Sequence, residues 1–124
     1  LKDRAYQILI YGEMVGADPD LYSFWHSSQS EYPGLNLAKF SNRDTDKLLE
    51  DARTTLDTNA RAKLYQKFQD ILAKDLPAVF LYSPTYIMAV NKDIRGVNIK
   101  NLVSPADRFS TLNEWYIKTK RELK

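Results

Sequence analysis

The residues best equipped for chemistry lie near the start of the chain. Glu13, Asp18 and Asp20 put three carboxyl groups close together, and His26, Ser27 and Ser28 follow a few positions later. A carboxylate pair can act as general acid and base, as in glycoside hydrolysis. A histidine beside hydroxyls suggests an activated nucleophile. Both patterns also have a plainer explanation. Asp18, Pro19 and Asp20 suit a helix start: an N-cap side chain, a proline at the first helical position and an acid near the positive end of the helix dipole. Neighbouring residues on a helix point about 100° apart, so His26, Ser27 and Ser28 do not converge as triad members would. No G-x-S-x-G elbow accompanies them. The helix-start reading is preferred for the two aspartates. Glu13 has no capping role, and ligand contact and a solvated loop stand level for it.

His26 is the sole histidine and cysteine is absent, which removes His-pair zinc sites, thiolate ligands, disulfides and cysteine nucleophiles. The redox compartment stays undecided. There is no HExxH, EF-hand loop, G-x-G-x-x-G or P-loop, so no metal and no cofactor is expected. Tyr22 and Trp25 can present aromatic faces to a ligand or pack a helix against its neighbour. Core packing is preferred for Trp25, as it is for Trp115 with Tyr116.

Elements must position these groups, and 124 residues provide for one small domain. Hydrophobic residues at 44% and charged residues at 27% match ordinary globular sequences, against disorder, collagen-like sequence or a membrane span. The net charge of +2 comes from 18 basic and 16 acidic side chains mixed along the chain, so the basic footprint of a nucleic-acid binder is missing. The terminal "KTKRELK" reads as a solvated tail. No apolar run reaches the roughly 18 residues of a membrane helix. The opening "LKDRAYQ" lacks a signal peptide's apolar core and cleavage site. A start at Leu1 suits a piece cut from a longer protein.

"YQILIY", residues 6–11, reads as a strand buried on both faces. It leads through "GEMVGADPD" to a helix with N-cap Asp18 and an apolar stripe of Leu21, Phe24, Trp25 and Ser28. Residues 29–40 carry a Pro-Gly turn signal and read as a surface crossing. A helix capped by Ser41 or Asn42 follows, with Asp44 and Asp46 in its first turn and Leu48, Leu49, Ala52 and Leu56 on one face. A second, opened by Asp57 or Thr58, carries Ala60, Leu64, Phe68, Ile71 and Leu72 and stops at Pro77. Their short link predicts an antiparallel hairpin. The charged faces, including Lys47, Glu50, Asp51, Arg53, Arg61, Lys63, Lys67 and Asp70, read as solvated surface. "AVFLY" (78–82) and "YIMAV" (86–90) read as strands, "NKDIRG" as a turn before "VNI", and "PADRFSTLNEWYIK" as a helical turn and a short strand near 114–117. The fold class is mixed α/β, a helical hairpin packed with short strands.

The order of these motifs adds what their chemistry does not. "ILIYGEMVGADPDLYSFWHSSQ", "GLNLAKFSNRDTDKLLEDAR", "DTNARAKLYQKFQDILAKDLPAVFLYSP" and "AVNKDIRG" resemble the C-terminal part of the extracytoplasmic solute-binding proteins of peptide/nickel-type ABC transporters, the family 5 solute-binding proteins. The resemblance runs from about Tyr6 to about Tyr116. Its most specific pieces are the DPD loop with the following Ser-Ser, the G-x-N-x-x-x-[FY]-x-N segment ending at Asn42, and the helix running into "LPAVFLY".

The resemblance implies a C-terminal fragment of a two-lobed, type II periplasmic-binding-protein-like fold. Residues 1–35 would belong to the ligand-covering lobe and residues 36–124 to the piece returning to the first lobe. It implies a non-catalytic solute-binding protein, outside the cytoplasm and membrane-anchored in its parent. That protein would close on an oligopeptide or other small solute and pass it to permease subunits. The implied ligand-facing residues are Gly12, Glu13, Met14 and Val15, with Trp25 as a wall. In peptide-binding members an aspartate four residues before this proline meets the peptide amine. Val15 stands there and cannot neutralise an ammonium. Either Glu13 takes over, or the ligand is something else, such as an oligosaccharide or nickel complex. Competing readings are a hydrolase using Glu13 with Asp18 or Asp20, and a helical interaction module over 43–75. An isolated fragment would expose apolar surface and pair as a dimer.

Overall fold

The computed structural model describes residues 1–16, 18–99 and 102–118, and most of the basic tail lies outside them. The chain is helix-rich and forms two compact units, Leu1–Leu81 and Tyr82–Lys124. These units divide this chain, which is a different matter from any division of a longer parent into lobes.

The first unit is built on a helical hairpin. Helix α2, Arg43–Thr54, starts at Asn42, whose side-chain oxygen accepts the backbone N–H groups of Asp44 (2.9 Å) and Thr45 (3.3 Å). Thr45, Leu49 and Ala52 recur at helical spacing and are buried on one face. Helix α3, Thr58–Asp75, starts at Asp57, which accepts from the backbone of Ala60 at 2.6 Å, and buries Phe68 and Leu72. It ends on Leu76 in the left-handed conformation, just before Pro77. Asn42 at the start of α2 donates to Asp75 at the end of α3 (3.1 Å), which makes the hairpin antiparallel. Helix α1, Tyr22–Trp25, lies across it and adds Trp25 to a core of Phe40, Leu49, Phe68 and Leu72. The Trp25 ring meets Phe40, Phe68 and Phe80 at centroid distances of 6.4, 6.4 and 5.8 Å.

Residues 29–40 are more than a surface crossing. Asn36 is fully buried: its amide donates to the carbonyls of Phe40 (2.8 Å), His26 (3.1 Å) and Trp25 (3.4 Å), and its oxygen accepts the Phe40 N–H (3.0 Å). The expected helix from Asp18 shortens to the single turn of α1 with Leu21 as N-cap, followed by a 3-10 turn at Ser27–Gln29. Ser28 therefore leaves the apolar stripe. Leu56 also falls outside its helix, in the hairpin link, and is 94% exposed.

The predicted strands at 6–11, 78–82 and 86–90 are absent. Ile8 is 89% exposed and Ile10 83%, and among the described residues no backbone hydrogen bond is made by 7–16 or 77–90. A strand requires a ladder partner, and the described chain offers these segments none, so their β-propensity goes unused.

In the second unit, β1 (Ile94–Arg95) pairs antiparallel with β2 (Tyr116–Ile117), Ile94 opposite Ile117. The expected strand near 114–117 is thus present, while "NKDIRG" contributes a strand as well as a turn. Gly96 follows with φ +79°, and a Cβ there would lie 2.2 Å from the Glu114 carbonyl oxygen, so only glycine fits. The expected helical turn appears as 3-10 turns at Pro105–Phe109 and Leu112–Glu114.

Candidate functional site

The segment Gly12–Val15 is a ribbon on the surface of the first unit. Gly12 has open space where a Cβ would stand, and Met14 and Val15 are exposed. Glu13 is exposed by surface area, yet the chain around it partly desolvates its carboxyl and raises it above the ordinary carboxylate range. Trp25 is 7% exposed, its ring taken up by the core.

The ribbon is held at both ends. Upstream, the buried Arg4 donates from Nε to the Ser30 carbonyl (3.1 Å) and from Nη2 to the Gly34 carbonyl, and the Tyr6 hydroxyl donates to the Leu37 carbonyl. Gly34 must be glycine for this fold-back, since an added Cβ would lie 2.2 Å from the Gln29 carbonyl oxygen. Downstream, the DPD loop lies on the hairpin. Asp18 pairs with Arg61 (2.7 Å), Asp20 with Arg53 (3.2 Å), and the Tyr65 hydroxyl donates to the Pro19 carbonyl at 2.6 Å. Desolvation and the nearby Asp20 carboxylate raise the Tyr65 phenol above its ordinary value. Between the DPD loop and these three side chains is a shallow cavity of about 150 Å³.

This geometry corrects the helix-start reading of the aspartates. Asp20 accepts the Tyr22 N–H (3.2 Å), but Asp18 makes no cap, and both carboxylates face arginines. Arg53 and Arg61 are corrected in the same way, from solvated surface to partners of the loop. Spacing within each helix gave no hint of them, because the pairing bridges separate segments.

His26 and Ser28 do meet, contrary to the expectation from helical spacing, because His26 sits at the junction of α1 and the 3-10 turn. His26 Nδ1 lies 2.8 Å from Ser28 Oγ and accepts the Ser28 backbone N–H at 3.1 Å. The ring stacks on Tyr22, and Nε2 lies 3.5 Å from Glu50 and 3.9 Å from Asp46. Asp46 is itself held by the Ser27 N–H (2.9 Å) and hydroxyl. With Nδ1 occupied by a backbone N–H, this is a capped junction between α1 and the 3-10 turn rather than a poised base. Among the described residues no group of three or more ligating side chains could hold a metal ion, and no helix is long and apolar enough to cross a membrane.

Comparison with known proteins gives this geometry its context. No protein-family profile matches the chain. The oligopeptide-binding protein AppA of Bacillus subtilis is 33% identical over 112 residues, covering 90% of this chain and 20% of AppA. The probable D,D-dipeptide-binding periplasmic protein DdpA of Escherichia coli is 30% identical over 79% of this chain and 19% of its own length. The structure of AppA in complex with a nonapeptide matches 82% of this chain and 19% of AppA, with a TM-score of 0.57 and 31% identity. The chain thus spans about one fifth of the length of these relatives. Both are named as peptide-binding proteins rather than enzymes, which speaks against the carboxylate-pair hydrolase. By sequence and by fold, the chain belongs to the family 5 peptide-binding proteins.

Proposed function

We propose that this chain is part of an extracytoplasmic, membrane-anchored protein that binds an oligopeptide and delivers it to the permease of an ABC transporter. The match to AppA over most of the chain carries this reading. The ribbon adds support, since Gly12, Glu13, Met14 and Val15 are exposed and the backbone there is unpaired among the described residues. Residues 1–35 would belong to a lobe that covers the ligand and residues 36–124 to the return into the other lobe, the two closing on the solute. Trp25 would not wall the ligand directly, since its ring is committed to the core.

Val15 makes Glu13 the acid available to a peptide amine on this ribbon. Burial raises its carboxyl, and an ammonium placed beside it would favour the ionised form. Calorimetry on the longer parent, with an oligopeptide and its N-acetylated form, tests this. Glu13→Gln is expected to weaken the free-amine peptide about tenfold, a loss near 1.4 kcal/mol, and to leave the acetylated one unchanged. Binding of neither peptide would overturn the peptide reading. The second reading, an oligosaccharide or a nickel complex on the same ribbon, is favoured by Val15 and predicts that outcome.

A further inference from the structure

We propose that Asp18, Asp20, Arg53, Arg61 and Tyr65 are positioning residues, a polar latch through which the helical hairpin sets the place of the Gly12–Val15 ribbon. The functional meaning of the latch rests on the reading of that ribbon as ligand-facing. The latch itself rests on geometry. Within three residues the chain passes from a ribbon without backbone hydrogen bonds among the described residues to a loop fastened at every position: Asp18 to Arg61 (2.7 Å), Pro19 O to Tyr65 (2.6 Å), Asp20 to Arg53 (3.2 Å). The fasteners come from both helices, Arg53 at the end of α2 and Arg61 and Tyr65 in the first half of α3. Arg53 also lies over the Tyr22 ring, 4.5 Å from its centroid, tying the latch to α1.

Stability alone does not account for the arrangement. Exposed ion pairs contribute little to folding, and the side chain of Asp18 is 73% exposed. Three directional contacts on consecutive residues do more to fix where a segment lies than to hold the core together. With Arg4 and Tyr6 fastening the upstream end, the ribbon is a tether of set length between two anchors, and releasing one anchor frees the segment between them.

The chain has no cysteine, so Met14→Cys and Lys67→Cys give a single pair of spin-label sites, one on the ribbon and one on an exposed face of α3. Pulsed dipolar measurement on the full chain reads their separation without any ligand. A single narrow distance distribution is expected. Arg61→Asp, which sets like charges against each other, and the combined Arg53→Gln, Arg61→Gln and Tyr65→Phe variant are each expected to lose it. Asp18→Arg together with Arg61→Asp is expected to restore it. The helical circular dichroism melt should stay in place throughout, since Tyr65, which packs against the core cluster, keeps its ring as phenylalanine and the other substituted side chains lie outside that cluster. A broad distribution in the starting protein, or a narrow one that survives both latch variants, would overturn the proposal. Peptide titration reads the ribbon's role separately, so failure of the peptide reading leaves the distance result to be judged by itself.

Discussion

Asn36 shows what a single polar side chain contributes when it is buried and fully used. Its amide and carbonyl close four contacts that fold residues 25–40 onto themselves. The G-x-N-x-x-x-[FY]-x-N segment thereby acquires a physical meaning residue by residue: Gly34 for the close approach, Asn36 as the staple, Phe40 in the core, Asn42 as the cap of α2. Asn36→Ala leaves three carbonyls and an N–H without that partner in a buried place. The expected cost is about 1–3 kcal/mol, seen as a lower urea midpoint for the first unit. Asp107 illustrates an acid that its backbone keeps charged. The N–H groups of Ser104 (2.7 Å) and Val103 (2.8 Å) hold its carboxyl below the ordinary aspartate value. A depressed folded value means its stabilising contribution is present above the ordinary aspartate range and is lost as pH falls through the lowered value. Trp115 reports on the same unit, so its fluorescence should show an acid transition on lowering pH that Asp107→Asn removes; a transition unchanged in that variant would refute the assignment.

At the scale of elements, Phe68 and Leu56 separate apolar residues that make the hairpin from one that only looks as if it should. Phe68 is buried against Trp25, Leu49 and Leu72, and Phe68→Ala is expected to cost about 3–5 kcal/mol. Leu56 lies in the link, and Leu56→Ser should move the urea midpoint by no more than about 0.5 kcal/mol of stability. Denaturation followed at helical wavelengths distinguishes them, and equal losses would contradict the described packing. Both helices were legible in the sequence, and each cap to within two neighbouring residues, because Asn42 and Asp57 act within a few residues of themselves and the apolar period is local. Leu56 misled because a period extends on paper past the point where the chain leaves the helix. The strands at 6–11, 78–82 and 86–90 misled for the opposite reason: their propensity is real, but pairing depends on partners outside the segment. The DPD latch was illegible for the same cause, since an aspartate's local sequence says helix start while the arginines that claim it lie more than thirty residues away.

For the molecule as a whole, the exposed apolar ribbons are the dominant fact. Ile8, Ile10, Met14, Val79, Phe80, Leu81, Tyr82 and Ile87 all face solvent in a chain of 14.4 kDa. Backbone without hydrogen-bond partners among the described residues, flanked by large apolar side chains, is a template for pairing with another chain. Relatives about five times as long would have chain available to cover such segments, and this length of sequence alone does not. The isolated chain is therefore expected to pair with copies of itself through residues 8–10, burying the same side chains against each other. Sedimentation velocity should show a mean mass that rises with protein concentration, and Ile8→Lys with Ile10→Lys should return it toward the monomer by adding repelling charges to the edge. The two substitutions touch no core residue, so the helical melt serves as the control. A constant monomer mass over the whole concentration range, or association undiminished by the lysines, would show that the ribbon at 8–10 is not the pairing edge.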